Sequence, residues 1–272
     1  MKQLRVISLG WGVQSFTLAA MAALGDLEPI DYAIHADTTH EAAGTYSHAE
    51  KYTPWLESLG VKIRTVFANR PDVVREDWSN SVLIPAFTQD SAGKPGQIKR
   101  QCTHDWKIMP IRKFLRGELK GSLRAGAVCS IQGISVDEWT RQRSSDVAYI
   151  VNEYPLCDRR ITRADCIRYL QSNGLDVPPK SACTFCPYHN IQKWKDLKNA
   201  GGPDWELAIA ADENIRHKRE KGSGKPGHEV QKGMLLYVHP SRRPLAEGVA
   251  KSGAPDGQME MDIPCDSGMC FV

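Results

Sequence analysis

The chain has 272 residues, of which 35 are basic and 32 acidic, giving a formal net charge of +3. With 41% hydrophobic and 25% charged residues it has globular composition and enough length to bury a core without staples, which excludes collagen-like, wholly disordered and disulfide-scaffold chains. So balanced a charge sets up no whole-chain field for a polyanion.

No run approaches the roughly 20 apolar residues that span a bilayer, and the N-terminus lacks a signal peptide's apolar core and cleavage site. The expectation is a cytoplasmic protein with no membrane contact. Its eight cysteines are then expected as thiols, metal ligands or catalytic groups rather than disulfides.

Residues 4–9 form a short apolar run closed by a Gly-rich turn, and residues 13–24 carry Ala, Leu and Met at helical density: strand, turn, helix. Residues 30–36 read as a second strand ending at Asp37-Thr38-Thr39, residues 48–59 as a helix stopped by Gly60, and residues 61–67 as a third strand. Strands alternating with helices predict a doubly wound α/β fold with a mostly parallel sheet. From Asn69 to Gln101 the pattern weakens, and residues 80–85 and 88–97 read as irregular chain with little core signal. Residues 109–119 are a basic helix, residues 125–134 a buried strand, and residues 162–173 a helix capped by Thr162 with Asp165 in its first turn. Beyond Pro178-Pro179 come two helices, residues 191–198 and 205–217, a Lys/Gly-rich stretch from 218 to 232, and an aperiodic tail ending in two cysteines.

The turn Ser8-Leu9-Gly10-Trp11-Gly12-Val13-Gln14-Ser15 lies between the first strand and its helix, at the sheet's carboxyl edge, where ligands bind. Glycines let the backbone approach an anion, the helix N-terminus presents free N–H groups, and Ser8 and Ser15 add hydroxyls. The same glycines would equally serve a plain tight turn. Neither the Walker pattern nor Gly-x-Gly-x-x-Gly is present. Asp37, at the end of the second strand, is placed either to meet a nucleotide's sugar or base or to cap the next segment.

Ser8 to Ser15, with His35-Ala36-Asp37-Thr38, resembles the PP-loop superfamily of adenine nucleotide alpha hydrolases. Its Gly-Val-Gln-Ser is similar to the phosphoadenosine phosphosulfate (PAPS) reductase-like branch, and Gln14 stands where ATP-pyrophosphatase members carry an aspartate. Gly133-Ile134-Ser135-Val136-Asp137-Glu138-Trp139-Thr140-Arg141 resembles that branch's Gly-Ile-Arg segment. The resemblance runs to about Trp205. It implies a Rossmann-like (HUP-type) nucleotide domain over residues 1–200 and a helical or irregular extension with a mobile cysteine-bearing tail over residues 201–272. It also implies adenine-nucleotide contacts from Ser8, Gly10, Gly12, Gln14, Ser15, Asp37, Thr38, Gly133, Ser135 and Arg141.

Cys183-Thr184-Phe185-Cys186-Pro187 is a Cys-x-x-Cys pair able to face one metal. Gln101-Cys102, with Lys107 and Pro110 downstream, resembles the reductases' Cys-Cys-x-x-x-Lys-x-x-Pro segment, which joins a distal Cys-x-x-Cys around a [4Fe–4S] cluster. The resemblance makes Cys102, Cys183 and Cys186 the ligands. Gln101 replaces the remaining thiolate and leaves one iron open, as in thiouridine-forming relatives that hold a sulfide there. By spacing alone, zinc held by these three cysteines and His189 competes. Cys129 and Cys166 read as core, and Cys157 is undecided. Cys265 and Cys270 in the tail match the position of the reductases' nucleophilic cysteine, although their flanking residues do not match that motif.

Lys99, Arg100, Lys107, Arg112, Lys113 and Arg116 cluster around Cys102, and Arg141 and Arg143 follow the Gly-Ile-Ser segment, as sulfate and phosphate groups require. The expected activity is sulfur chemistry driven by ATP or an adenylyl sulfate, with a sulfur donor or thiol reductant as partner. In one route a tail cysteine attacks the sulfur of an adenylyl sulfate and sulfite is released. In the other, ATP adenylates an acceptor, tRNA or DNA included, and sulfide displaces AMP. The competing class is a non-catalytic nucleotide- or nucleic-acid-binding protein with a structural zinc.

Overall fold

The computed structural model describes residues 2–68, 84–98, 100–221 and 232–252. They fall into two compact units, one built from Met1–Ala68 and Thr103–Ala182, the other from Asn69–Cys102 and Cys183–Gly268. Each unit is therefore assembled from separated stretches of chain.

The first unit contains β1 (Leu4–Ser8), α1 (Val13–Leu24), β2 (Tyr32–Asp37), α2 (Ala43–Ser58) and β3 (Ile63–Phe67). After residue 102 it resumes with a π-helical turn (Thr103–Ile108), and α3 (Met109–Glu118) continues from it. β6 (Val128–Ile131), a 3-10 turn (Val136–Arg141), β7 (Ile150–Glu153), α4 (Pro155–Asp158) and α5 (Arg163–Ser172) complete the unit. The sheet order is β3-β2-β1-β6-β7, and every neighbouring pair is parallel. This is a Rossmann-like α/β fold, as the alternating pattern predicts.

Both sheet faces are buried, because successive side chains of a strand point to opposite sides. Val6, Ile34, Val128 and Ile150 pack with Leu115 and Leu119 around α3. Ile7, Ala33, Cys129 and Ile131 pack on the other face with Phe16, Leu18, Leu56 and Leu170. The strand order reverses at β1, which has β2 on one side and β6 on the other. Such a reversal opens a crevice at the carboxyl ends of the two strands.

Local chemistry explains the helix ends. Thr162 accepts the Asp165 N–H, and the Asp165 carboxylate accepts from the Thr162 backbone, a capping box at the expected place. α1 stops where Gly25 turns left-handed at φ 84° and gives its N–H to Met21. Pro110 has no N–H for the carbonyl of Trp106, and the wider π-helical turn before α3 spans that residue.

The second unit corrects the reading of residues 88–97 as irregular. β4 (Ala86–Gln89) and β5 (Pro95–Ile98) pair antiparallel. β4 also pairs with β9 (Lys232–Tyr237), and β9 with β8 (Arg219–Lys221). The C-terminal part thus carries strands beside its helices α6 (Ile191–Ala200), α7 (Gly202–Ile215) and α8 (Leu245–Lys251). Asp212, buried in α7, accepts the N–H groups of Val238 at 2.9 Å and Leu245 at 3.0 Å and pairs with Arg216. The Arg216 guanidinium also lies 4.1 Å from the Tyr237 ring centroid. Among the described residues no helix is long and apolar enough to cross a membrane.

His48 on α2 lies 4.6 Å from the ring centroids of Phe16 and Tyr52, and burial pushes its imidazole down to about 4. Burial lowers His239 in the same way. The unfolded chain takes up these protons near pH 6.5, before the folded one does, so stability is full above 6.5 and is lost as pH falls from there toward about 4. His48→Phe should flatten part of the fall in melting temperature across that window while leaving the value near neutrality little changed, as a pH series of thermal melts would register.

Candidate functional site

The turn after β1 is built from the inside. Trp11 is buried at φ 56°, its ring 6.1 Å from that of Phe16 and 6.2 Å from that of His48. The Ser15 hydroxyl accepts the Gly10 N–H at 3.1 Å and donates to the Gly12 carbonyl at 3.2 Å, so it braces the turn. Gly12 caps α1 with an extended backbone, and a Cβ there would meet Ser181 Cβ at an ordinary 3.7 Å. The protein's own packing leaves room for a side chain at that position.

Gly133 is different. A Cβ on it would stand 2.7 Å from the Ser15 nitrogen and 2.9 Å from the Ser15 Cα. Two segments singled out in the sequence therefore meet backbone to backbone. Ser135 follows, fully buried, with its hydroxyl 3.3 Å from Asp137. Asp37 Oδ1 accepts the Thr39 N–H at 2.7 Å and the Tyr46 hydroxyl at 2.8 Å. Burial and that carboxylate push the Tyr46 phenol up. Thr38 is buried, with Oγ1 3.4 Å from the His40 nitrogen.

A cavity of about 400 Å³ opens at the switch point. Val6, Ile34, Leu115 and Ile150 give it apolar walls, and Ser8, Ser130 and Asn152 bring polar groups from β1, β6 and β7. Lys107, Arg112, Arg141 and Arg143 add cations. Of the residues expected to bind nucleotide, Ser8 and Arg141 line this cavity, while the structure gives Ser15 and Asp37 bracing roles in the chain itself.

Two of the cations are backed by carboxylates that sequence reasoning passed over. Lys107 Nζ lies 3.1 Å from Glu41 Oε1, and only 9% and 1% of these side chains are exposed. Glu41 Oε2 accepts the Ser181 hydroxyl at 3.2 Å. Arg141 donates to Glu138 Oε2 at 2.6 Å, and the Gln14 amide nitrogen lies 3.3 Å from the same oxygen. The Gln14 carbonyl accepts from Arg163 at 2.9 Å. Burial pushes the Glu138 carboxyl up, and Arg141 opposes that shift. Glu138 was visible in the Gly-Ile-Ser segment and Glu41 four residues past Asp37, but no periodicity marks either as buried. Arg112 is paired with Asp146. The Arg143 guanidinium spends donors on the Thr140 and Gln142 carbonyls.

Cys102, Cys183 and Cys186 all belong to the second unit and are half-buried. The Cys186 N–H closes a turn on the Cys183 carbonyl at 3.1 Å, and the His189 N–H closes the next on Cys186 at 3.0 Å. The Arg100 guanidinium lies 6.0 Å from the Tyr188 ring centroid, so the segment ending at Cys102 touches the loop carrying the pair. Among the described residues no group of three or more His, Cys, Asp or Glu side chains is arranged to hold a metal ion.

Cys129 and Cys166 are fully buried, and burial pushes their thiols up to about 12 and about 11. Cys157, left open by the sequence, gives its thiol to the Ile134 carbonyl at 3.2 Å. Cys265, Cys270 and Lys99 lie outside the described residues.

The strand order defines a Rossmann-like α/β protein with a lined cavity against its parallel sheet. No family model and no curated protein matches the chain. Among solved structures it is similar to phosphoadenylyl-sulfate (PAPS) reductase from Candida auris in a phosphate complex, at 13% identity and a TM-score of 0.43, over 65% of this chain and 76% of that one.

Gly133→Ala should force the first turn of α1 to shift, since both close atoms are backbone. The expected loss is roughly 1–3 kcal/mol, seen as a lower denaturant midpoint with an unchanged slope. An unaffected midpoint would mean that the two segments do not touch as described.

Proposed function

We propose that the chain is an enzyme of adenine-nucleotide-dependent sulfur chemistry. The cavity carries this reading. A nucleotide needs an apolar surface for its base and fixed donors for its anion. Here Ile34 and Leu115 supply the first, and Lys107 and Arg141 the second. Glu41 and Glu138 hold the two cations at defined positions on the cavity wall. Gly12, where a Cβ would make only ordinary contact with Ser181, precedes the first turn of α1, whose N–H groups would meet the rest of the ligand.

Cys102, Cys183 and Cys186 would hold the [4Fe–4S] cluster, with Gln101 in place of a further thiolate. When bound, such a cluster supplies an iron with an exchangeable position. Neutral Gln14 favours an adenylyl sulfate as substrate. The Glu138 carboxylate, 3.3 Å from the Gln14 amide, supplies an acid close to where ATP-cleaving relatives carry one and supports the ATP route as the second reading. In the first route a thiolate from Cys265 or Cys270 would attack the sulfate sulfur and displace the nucleotide, leaving a cysteine thiosulfonate; a thiol of the reductant partner would then attack the cysteine sulfur, releasing sulfite and leaving a disulfide. In the second an acceptor, tRNA or DNA among them, receives sulfur and AMP leaves.

Incubating the anaerobically reconstituted protein separately with ATP, adenylyl sulfate and PAPS, while following AMP, pyrophosphate and sulfite, separates the routes. Absence of all three products would defeat the proposal. Cys102→Ser, Cys183→Ser and Cys186→Ser should each lose iron and labile sulfide, whereas Cys129→Ser keeps them. One colourless zinc per chain in the parent protein would instead establish the structural-zinc class. Gly12→Val should abolish nucleotide binding with little change in melting temperature, because only the ligand needs that space. Calorimetry showing unchanged affinity would remove the turn from the site.

A further inference from the structure

Glu41 touches more than the cavity wall. Its two carboxylate oxygens are both used, one by Lys107 at 3.1 Å and the other by Ser181 at 3.2 Å. The Ala42 N–H also donates to the Ala182 carbonyl at 3.2 Å. Lys107 lines the cavity, while Ser181 and Ala182 immediately precede Cys183 in the chain. We propose that Glu41 is a positioning residue that couples anion binding in the cavity to the placement of the Ser181–Ala182 segment, which leads into Cys183. This rests on the reading of the cavity as a nucleotide site.

The physical basis is competition for one ammonium. A phosphate or sulfate seated on Lys107 draws on the charge that Glu41 now neutralises. A carboxylate buried this deeply cannot turn to water when its partner is shared. It must strengthen or rearrange its remaining hydrogen bond, which is to Ser181. Two side-chain bonds and one backbone bond thus form a contiguous path from the anion to the residues leading into Cys183. By linkage, whatever fixes the thiols must alter nucleotide affinity by the same factor.

The test is peptide-resolved alkylation of the full chain, purified anaerobically, with AMP and ATP as probes and calorimetry in parallel. Saturating nucleotide should change the labelling rate of Cys183 about threefold or more, with Cys157 as an unchanged internal reference. In Ser181→Ala, which removes one hydroxyl donor and keeps the buried ion pair, the change should shrink to within error while nucleotide still binds. Glu41→Gln should behave likewise if it folds, and rescue by Ser181→Thr distinguishes the hydroxyl from mere packing. Nucleotide binding without a rate change in the parent chain, or a change that survives in Ser181→Ala, overturns the coupling and leaves the cavity reading intact. Failure of every nucleotide to bind the parent chain overturns both.

Discussion

The site depends on burying two carboxylates beside two cations. An isolated charge inside a protein costs several kcal/mol, and a pair is tolerable only when each group's remaining valences are met. Glu41 meets this condition with Lys107 and Ser181, and Glu138 meets it with Arg141 and Gln14. The result is a pair of cations that face the cavity in fixed positions instead of sweeping through solvent. Removing either carboxylate would take from a buried cation the acid that faces it. Removing either cation would strand an acid.

The same two pairs knit together segments remote in sequence. Glu41 follows β2, Lys107 sits on the π-helical turn ahead of α3, and Ser181 lies past α5. Gln14 begins α1, Glu138 and Arg141 share the 3-10 turn after β6, and Arg163 opens α5. The close backbone approach of Gly133 to Ser15 brings the second network up against the first turn of α1. Polar groups around the strand ends are therefore ordered by one another, while the apolar faces below them hold the sheet.

Much of the first unit was legible because its signals are local. Val6, Ile7, Ala33 and Ile34 sit in short apolar runs with Gly or Asp at their ends, and Thr162 with Asp165 is a cap readable from spacing. The strands of the second unit were not, for opposite reasons. β4 has four residues, Ala-Phe-Thr-Gln, β5 begins Pro-Gly, and β9 begins Lys-Gly. None shows a period, and what holds β4 is its pairing with β9, far along the chain. At the site, Ser8 and Arg141 could be placed from their turns. Glu41 and Glu138 could not, since a carboxylate reads as a surface group until the cation that buries it is known.

The discontinuous build of the two units also orders events during synthesis. All described strands of the first unit have been made once residue 182 has emerged, so its sheet can close on contacts already available. β4 is translated before β6 but cannot pair with β9 until residues 232–237 exist. Through that interval the β4–β5 hairpin lacks β9 on the β4 edge, the kind of edge that recruits stray partners. Its shortness and the Pro-Gly start of β5 limit that hazard. The weak strand signal that hid this hairpin in the sequence is also what keeps a nascent chain from sticking to its neighbours.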